Sequence, residues 1–445
     1  MTHSYLLWAV AVYFLLMTLY GFLAGRRETD ESFMVASRKQ GAFFIGLSIA
    51  VGWTDTGLII FYLAEFRQYG WLPMFYALGA VLSFILYALA MPRLSKVSRK
   101  HSMYTIADFF CYQWSLRIGV AVAMLNFMLM ALWLVVLFLV GGQIFAAVTA
   151  LSFVQGVGIM LAVVLPYMLL GGFRAVLGTD TFQYVFLVIA LMALFWAFGS
   201  LGEVRLTLPS AEIASFGWEK SVFAVVSIIS WSLISGDVWQ RIYAARSTKT
   251  AQKGMLVAAL GYMIFPICLA LFAFNLVPAG TDDPFMYLLT DGLTPALTQV
   301  LLLAVFLAVT STIDTATFSA AAALTNDILR PLGLTQSHHL RWATFIAIPI
   351  LLLGAAVISF YAESIMGLIY GVMGMTIAVG PALGLALFSN QRHHEPYIFT
   401  SLMLGLAAFA ATKFTGANFP GQTLLPFFVG LFVLAPTIKR RSAHP

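Results

Sequence analysis

The chain contains thirteen apolar stretches long enough to cross a bilayer, and that property decides what it can fold into. They run approximately over 4–25, 41–64, 71–92, 118–146, 152–172, 179–201, 217–237, 254–278, 296–326, 341–361, 364–389, 396–412 and 422–438. A helix needs about 20 apolar residues to cross about 30 Å of hydrocarbon. Lipid offers an open backbone no hydrogen-bond partner, so stretches of this length cross as helices. The expected fold class is an all-α polytopic membrane protein with about 13 transmembrane helices. Only 9% of the residues are charged, against about a quarter in soluble domains, which excludes a soluble globular chain. Disorder is excluded by the 61% hydrophobic content, and a disulfide scaffold by the cysteine count, Cys111 and Cys268 alone. The first stretch has no basic n-region and no small-residue cleavage site, so it is expected to remain as a span.

An odd number of spans places the termini on opposite sides, and lysine and arginine then orient the bundle. One set of loops carries Arg26, Arg27, Arg38, Lys39, Arg93, Lys96, Arg99, Lys100, Arg117, Arg174, Arg241, Arg246, Lys249, Lys253, Arg330, Arg341, Arg392, Lys439, Arg440 and Arg441. The other set carries only Arg67, Arg205, Lys220 and Lys413. This asymmetry predicts an external amino terminus and a cytoplasmic carboxyl terminus in the cell membrane. The net charge of +6 is then a matter of topology, and no nucleic acid partner is needed to explain it. Lipid is the expected surround, and no obligatory protein partner is evident. The longest cytoplasmic loop, about 93–117, and a tail of seven residues after 438 leave no room for an appended soluble domain. His338–His339 and His393–His394 fall in cytoplasmic loops, either as solvated side chains or as a metal site.

An ionisable residue at the centre of a span costs about 2.5–3.5 kcal/mol on insertion scales, so each one is a pointer to function. Asp55, Asp180, Asp237 and Asp314 qualify. Asp180 and Asp237 lie near the cytoplasmic ends of their spans and read equally as interfacial. Asp55 lies near mid-span in Val51-Gly52-Trp53-Thr54-Asp55-Thr56-Gly57, where two glycines bracket polar residues. Glycine weakens a helix by about 1 kcal/mol relative to alanine, and threonine hydroxyls compete for backbone groups, so a local break is expected. Span 7 repeats the pattern in Ser230-Trp231-Ser232-Leu233-Ile234-Ser235-Gly236. The two weak points are five spans apart, so the halves superpose only with one inverted through the membrane. Paired interruptions of this kind point to the binding site of a secondary transporter. The alternative is that small residues merely let helices pack closely. In span 9, Ala308, Ser311 and Thr312 are spaced i, i+3, i+4 and share one face. Two hydroxyls and a carbonyl there suit a hard monovalent cation, unless the hydroxyls simply bond back to their own helix.

Four stretches, taken in order, resemble the sodium:solute symporter family. They are Leu47-Ser48-Ile49-Ala50-Val51-Gly52, then Gly171-Gly172-Phe173-Arg174-Ala175-Val176 with Thr179-Asp180-Thr181-Phe182-Gln183, then Gln240-Arg241-Ile242-Tyr243-Ala244-Ala245-Arg246-Ser247, and Ser311-Thr312-Ile313-Asp314-Thr315. The resemblance implies a LeuT-type 5+5 inverted repeat with two broken helices. Its parts would be an extra first span in 1–39, repeats over 40–205 and 206–390, and two extra spans in 391–445, all one membrane domain. It further implies a Na+ site made by Val51, Thr54, Ala308, Ser311 and Thr312, with Asp180 on a second Na+ or on the ion path. No organic cofactor is implied.

The expected activity is Na+-coupled symport of a small organic solute by alternating access. The broken helices offer Trp53, Asp55, Gly57, Trp231 and Ser232 as solute contacts, Trp231 acting either as an aromatic gate or as packing. Relatives usually have a small or neutral residue where this chain has Asp55. An ionised Asp55 favours an amine-bearing solute such as an amino acid; a protonated one carries H+; it also reads as a second cation ligand or as a structural aspartate holding the broken backbone. Proton or mixed-ion coupling, and a sensor that retains the fold, are the competing functions. Enzymatic chemistry finds no intramembrane histidine, cysteine pair or glutamate-rich motif.

Overall fold

A computed structural model describes residues 3–25, 30–149, 151–199, 205–206, 213–336, 339–388, 395–414 and 422–439. In chain order the helices are α1 (His3–Gly25), α2 (Asp30–Val35), α3 (Ala42–Gly52), α4 (Thr56–Tyr69), α5 (Met74–Lys100) and α6 (Ile106–Gln113). They continue with α7 (Leu116–Val148), α8 (Phe153–Gly199), α9 (Ile213–Ile234), α10 (Gly236–Ala244), α11 (Thr248–Asn275) and α12 (Pro284–Tyr287). The last five are α13 (Pro295–Ala322), α14 (Leu340–Ser359), α15 (Ile365–Phe388), α16 (Glu395–Phe414) and α17 (Leu425–Lys439). Among the described residues 10 helices are long and apolar enough to cross a membrane, or 11 when the bent pair α3 and α4 is taken as one span. The expected 13 is reached only by dividing α8 and by adding α17, which is shorter. Arg26, Arg27, Arg392, Arg440, Arg441, His338, His393 and His394, used above for topology or as candidate ligands, lie outside the described residues.

The 47 residues of α8 would stretch about 70 Å as one straight helix, far more than a bilayer core needs. Gly172 resolves this with φ 52°, a left-handed conformation that a side chain resists. Adjacent residues of α1 then meet both arms, Gly21 against Tyr167 and Tyr20 against Gly178. Eleven residues of straight helix would hold those two positions about 16 Å apart, so α8 folds back on itself there.

α3 packs on α11 and α8, α9 on α5 and α15, and α13 on α7 and α8. The outer surface stays apolar, with Leu260 75% and Phe432 81% exposed, as expected of faces that meet lipid. The α3–α11 seam is one of the close contacts around the site. A Cβ on Gly46 would lie 2.8 Å from the Gly254 carbonyl and 2.5 Å from Val257 Cβ. Gly46→Ala is therefore expected to destabilise the bundle by about 1–3 kcal/mol through overpacking. A lower thermal midpoint in detergent is the readout; an unchanged midpoint would mean that the two helices have room to part.

Candidate ion and solute site

The first break has a local cause. Asp55 has extended backbone, φ −84° and ψ 170°, and its side chain caps α4 by accepting the Leu58 amide at 2.9 Å. In an unbroken helix that amide would bond the Thr54 carbonyl, so the cap releases a carbonyl in the middle of the span. Thr54 compensates upstream: its amide donates to Val51 O at 2.9 Å and its hydroxyl to Ala50 O at 2.8 Å. The two helices diverge by 61° across the gap. At the second break Ser235 is extended, and the Gly236 amide donates to Asn126 Oδ1 on α7 at 2.8 Å. Carbonyls freed there are taken by side chains, Ser232 O by the Tyr87 hydroxyl at 2.8 Å and Leu233 O by the Trp239 indole at 3.0 Å. Each break is thus held by its own neighbours.

The first break lies against α13. Thr56 donates to Val305 O at 3.1 Å on one side, and a Cβ on Gly52 would lie 4.0 Å from Thr315 Cγ2 on the other. Ala308, Ser311 and Thr312 occupy the stretch of α13 between those contacts, all buried. Ser311 donates to Asp180 Oδ1 at 2.7 Å and Thr312 to Ala308 O at 3.2 Å. A hydroxyl that gives its proton away keeps its lone pairs, and a carbonyl with one bond keeps a second acceptor position. The Val51 carbonyl accepts the Thr54 amide, the Ala308 carbonyl accepts from Thr312, and the Thr54 carbonyl has lost its helical donor. The set is therefore all hard oxygen with no formal charge, which fits a monovalent cation such as Na+ and gives a transition metal no soft ligand.

Beside this set lies a fully buried ion cluster. Arg241 of α10 donates to Asp180 Oδ2 at 2.8 Å, to Thr315 Oγ1 at 2.8 Å and to Ser48 Oγ at 2.7 Å, and it faces Asp237 Oδ2 at 3.4 Å. Ser48 in turn donates to Asp180. The side chains of Arg241 and Asp180 are both 0% exposed, so the interfacial reading of Asp180 does not hold. Asp237, at 4% exposure, is likewise enclosed, in the first turn of α10 where the helix dipole favours a carboxylate. Arg241 also departs from its sequence assignment as a loop residue: it is an interior cation paired to acids on two elements. One turn beyond, Tyr167 donates to Asp314 Oδ2 at 2.8 Å.

A narrow cavity adjoins both features. Trp53, Asp55 and Trp231 line it, together with Trp133, Asp237 and Thr312. Gly57 and Ser232 do not. Gly57 stands behind Asp55, where a Cβ would come within 3.1 Å of Oδ1, and the Ser232 carbonyl is turned toward Tyr87. Trp133 donates its indole N–H to Asp55 Oδ2 at 3.0 Å and meets Trp231 edge to face at 4.7 Å. Both carboxylate oxygens of Asp55 are thus already held, one by its helix cap and one by Trp133.

A sequence model of the sodium:solute symporter family matches residues 33–405. The chain belongs to that family. This symporter is 24% identical over 430 residues to the osmoregulated proline transporter of Bacillus subtilis, covering 90% of this chain and 87% of the relative. The high-affinity proline transporter of the same organism is 23% identical over 468 residues, covering 95% and 97%. Among solved structures, a Na+-coupled sialic acid symporter in a substrate-bound outward-open state superposes with a TM-score of 0.77 at 14% identity, covering 97% of each chain. Mhp1, a nucleobase-cation-symport-1 family transporter, gives 0.64 at 13%, covering 92% of this chain and 94% of that one. At such identities the likeness concerns the fold, an inverted-repeat LeuT-type bundle with broken helices. The symporter is a multi-pass membrane transporter and not an enzyme.

Trp133 and Tyr262, which also face the cavity, carry no signal in the sequence, whereas Thr315 closes the polar stretch of span 9. Trp133 sits in a plain apolar run on α7, and nothing around it marks its indole as a partner for Asp55. Arg241 did carry a signal, its i, i+4 spacing from Asp237.

Proposed function

We propose that this symporter couples Na+ entry to uptake of a small zwitterionic solute bearing an amine, with proline the first candidate, by alternating access. The observation that carries the reading is the helix break at Asp55, which lies against α13 at the edge of a cavity that Thr312 and Asp55 share. Na+ would be held by Val51, Thr54, Ala308, Ser311 and Thr312, so filling the ion site braces one wall of the solute cavity. Asp180 serves the ion path on the far side of Ser311. An amine is favoured because Asp55 and Asp237 face the cavity and because Trp53, Trp133, Trp231 and Tyr262 offer ring faces to a cation. The proline transporters among the relatives support the same class. The repeats are taken as 40–205 and 206–390, with the amino terminus outside and the carboxyl terminus cytoplasmic, as the basic residues indicate.

The driving force suffices. One Na+ crossing 100 mV releases about 2.3 kcal/mol, and a tenfold gradient adds about 1.4 kcal/mol, enough for a few hundredfold accumulation. Proteoliposomes loaded with potassium should accumulate labelled proline when external Na+ is supplied and not when choline replaces it. Asp55→Asn preserves the Leu58 cap acceptor but turns an amide donor, or a weaker neutral acceptor, toward Trp133 and the solute. Uptake is expected to fall about tenfold or more, the worth of a hydrogen bond to a charged group, with the unfolding profile retained. Uptake at wild-type rates would remove Asp55 from solute recognition.

A further inference from the structure

Away from the ion site, one charged contact bridges three elements that wall the solute cavity. Lys220 of α9 lies 2.7 Å and 3.0 Å from the two carboxylate oxygens of Glu65 on α4, and Tyr370 of α15 donates to the same carboxylate at 2.7 Å. The ammonium sits 3.8 Å from the centre of the Tyr69 ring, also on α4. Each participant has cavity-lining residues nearby on its own helix. Asp55 and Leu58 line the cavity on α4, Ile228 and Trp231 on α9, and Met373 on α15. Glu65 stands two turns beyond Leu58, about 10 Å along the axis, Lys220 about 12 Å beyond Ile228, and Tyr370 about one turn from Met373.

A second, wider cavity lies at this contact, which Lys220, Phe223, Tyr370 and Gly374 line with Trp218 and Lys413. Lys220 and Tyr370 line that second cavity, and Glu65 lines neither. An aromatic layer backs it: Phe61 packs against Tyr370 at 5.8 Å and Tyr76 at 4.9 Å, and Phe223 meets Tyr370 at 6.4 Å. The side chains of Glu65 and Lys220 are 6% and 22% exposed, so the carboxylate is enclosed while Lys220 reaches the second cavity. α4 and α9 are halves of the two broken helices, joined to the rest of the core through their breaks. Opening the first cavity on the side of Glu65 and Lys220 would part α4, α9 and α15 at this level.

We propose that Glu65, Lys220 and Tyr370 form a charge-clasped gate across one mouth of the solute cavity, and that breaking the clasp is a required step in exposing the cavity to that side. These are positioning residues: they meet one another and do not line the first cavity. The inference rests on the transport reading above, with the orientation that makes this mouth external. Its test needs neither solute nor uptake, so the two readings fail separately.

Met373→Cys, in a background carrying Cys111→Ala and Cys268→Ala, places one thiol beneath the clasp. Intact cells are exposed to a membrane-impermeant methanethiosulfonate from outside, and the labelling rate is followed. Glu65→Gln and Lys220→Gln are each expected to speed labelling about tenfold, a shift of about 1.4 kcal/mol toward the open mouth. The exchanged pair Glu65→Lys with Lys220→Glu is expected to slow it again relative to either single charge reversal. That recovery also separates a gate from simple misfolding. Labelling that is indifferent to loss of either charge, or an exchanged pair as fast as the single reversals, would overturn the gate.

Discussion

Arg241→Met is expected to remove most of the folded symporter. Its guanidinium is the cation that faces Asp180 at 2.8 Å, and Asp180 is wholly enclosed among α3, α8, α10 and α13. Deleting one partner of a buried ion pair costs about 3–5 kcal/mol, because the remaining charge has neither water nor counter-ion. Stabilities of single domains are only about 5–15 kcal/mol, so the loss is a large fraction of the total. The arginine also donates to Ser48 and Thr315, which ties the inner end of α3 and α13 to α10. Fluorescence-detected size exclusion should show a diminished monodisperse peak and a midpoint lowered by many degrees. Adding Asp180→Asn to Arg241→Met removes the stranded charge, so part of the peak should return. A single variant as stable as wild type would mean that Arg241 is not the counter-ion.

Thr312→Ala has a different signature. Its hydroxyl bonds only the Ala308 carbonyl of its own helix, so removing it disturbs little packing. What is lost is one of five oxygens assigned to Na+. A ligand of that kind is worth about 1–3 kcal/mol, so half-saturation of uptake by Na+ should rise about fivefold to a hundredfold. At saturating Na+ the apparent solute affinity should return close to the wild-type value. Uptake whose Na+ dependence is unchanged would take Thr312 out of the ion site. Thr317→Ala, one turn further along and bonded to Ile313 O, serves as the matched control with little effect on Na+.

The break after Gly52 was readable because its cause is local: glycine, a threonine that back-bonds and an aspartate that caps sit within a few residues of one another. The fold-back at Gly172 likewise follows from a tight Gly171-Gly172 junction between two spans of ordinary length. Short helices such as α6, 8 residues long, carry no span-length apolar signal and were invisible. Arg241 was misplaced for a physical reason. Hydropathy treats an arginine as a mark of water, and the acid that neutralises it lies 61 positions away on another helix. Trp133 and Asp55 are separated by 78 positions and raise no sequence pattern at all. Long-range polar pairing is what turns a set of spans into an ion site, and it depends on the packing of helices whose sequences are individually unremarkable in periodicity.

The seat of the coupling ion can be settled by equilibrium binding of radioactive 22Na+ to the purified symporter in detergent. Wild-type protein should bind Na+ saturably, in a manner displaced by unlabelled Na+ and not by choline, and more tightly when proline is present. The Ser311→Ala/Thr312→Ala double variant, checked for a normal elution profile, should lose that binding. If a well-folded double variant binds Na+ with wild-type affinity, the oxygens between the α3–α4 break and α13 do not hold the ion.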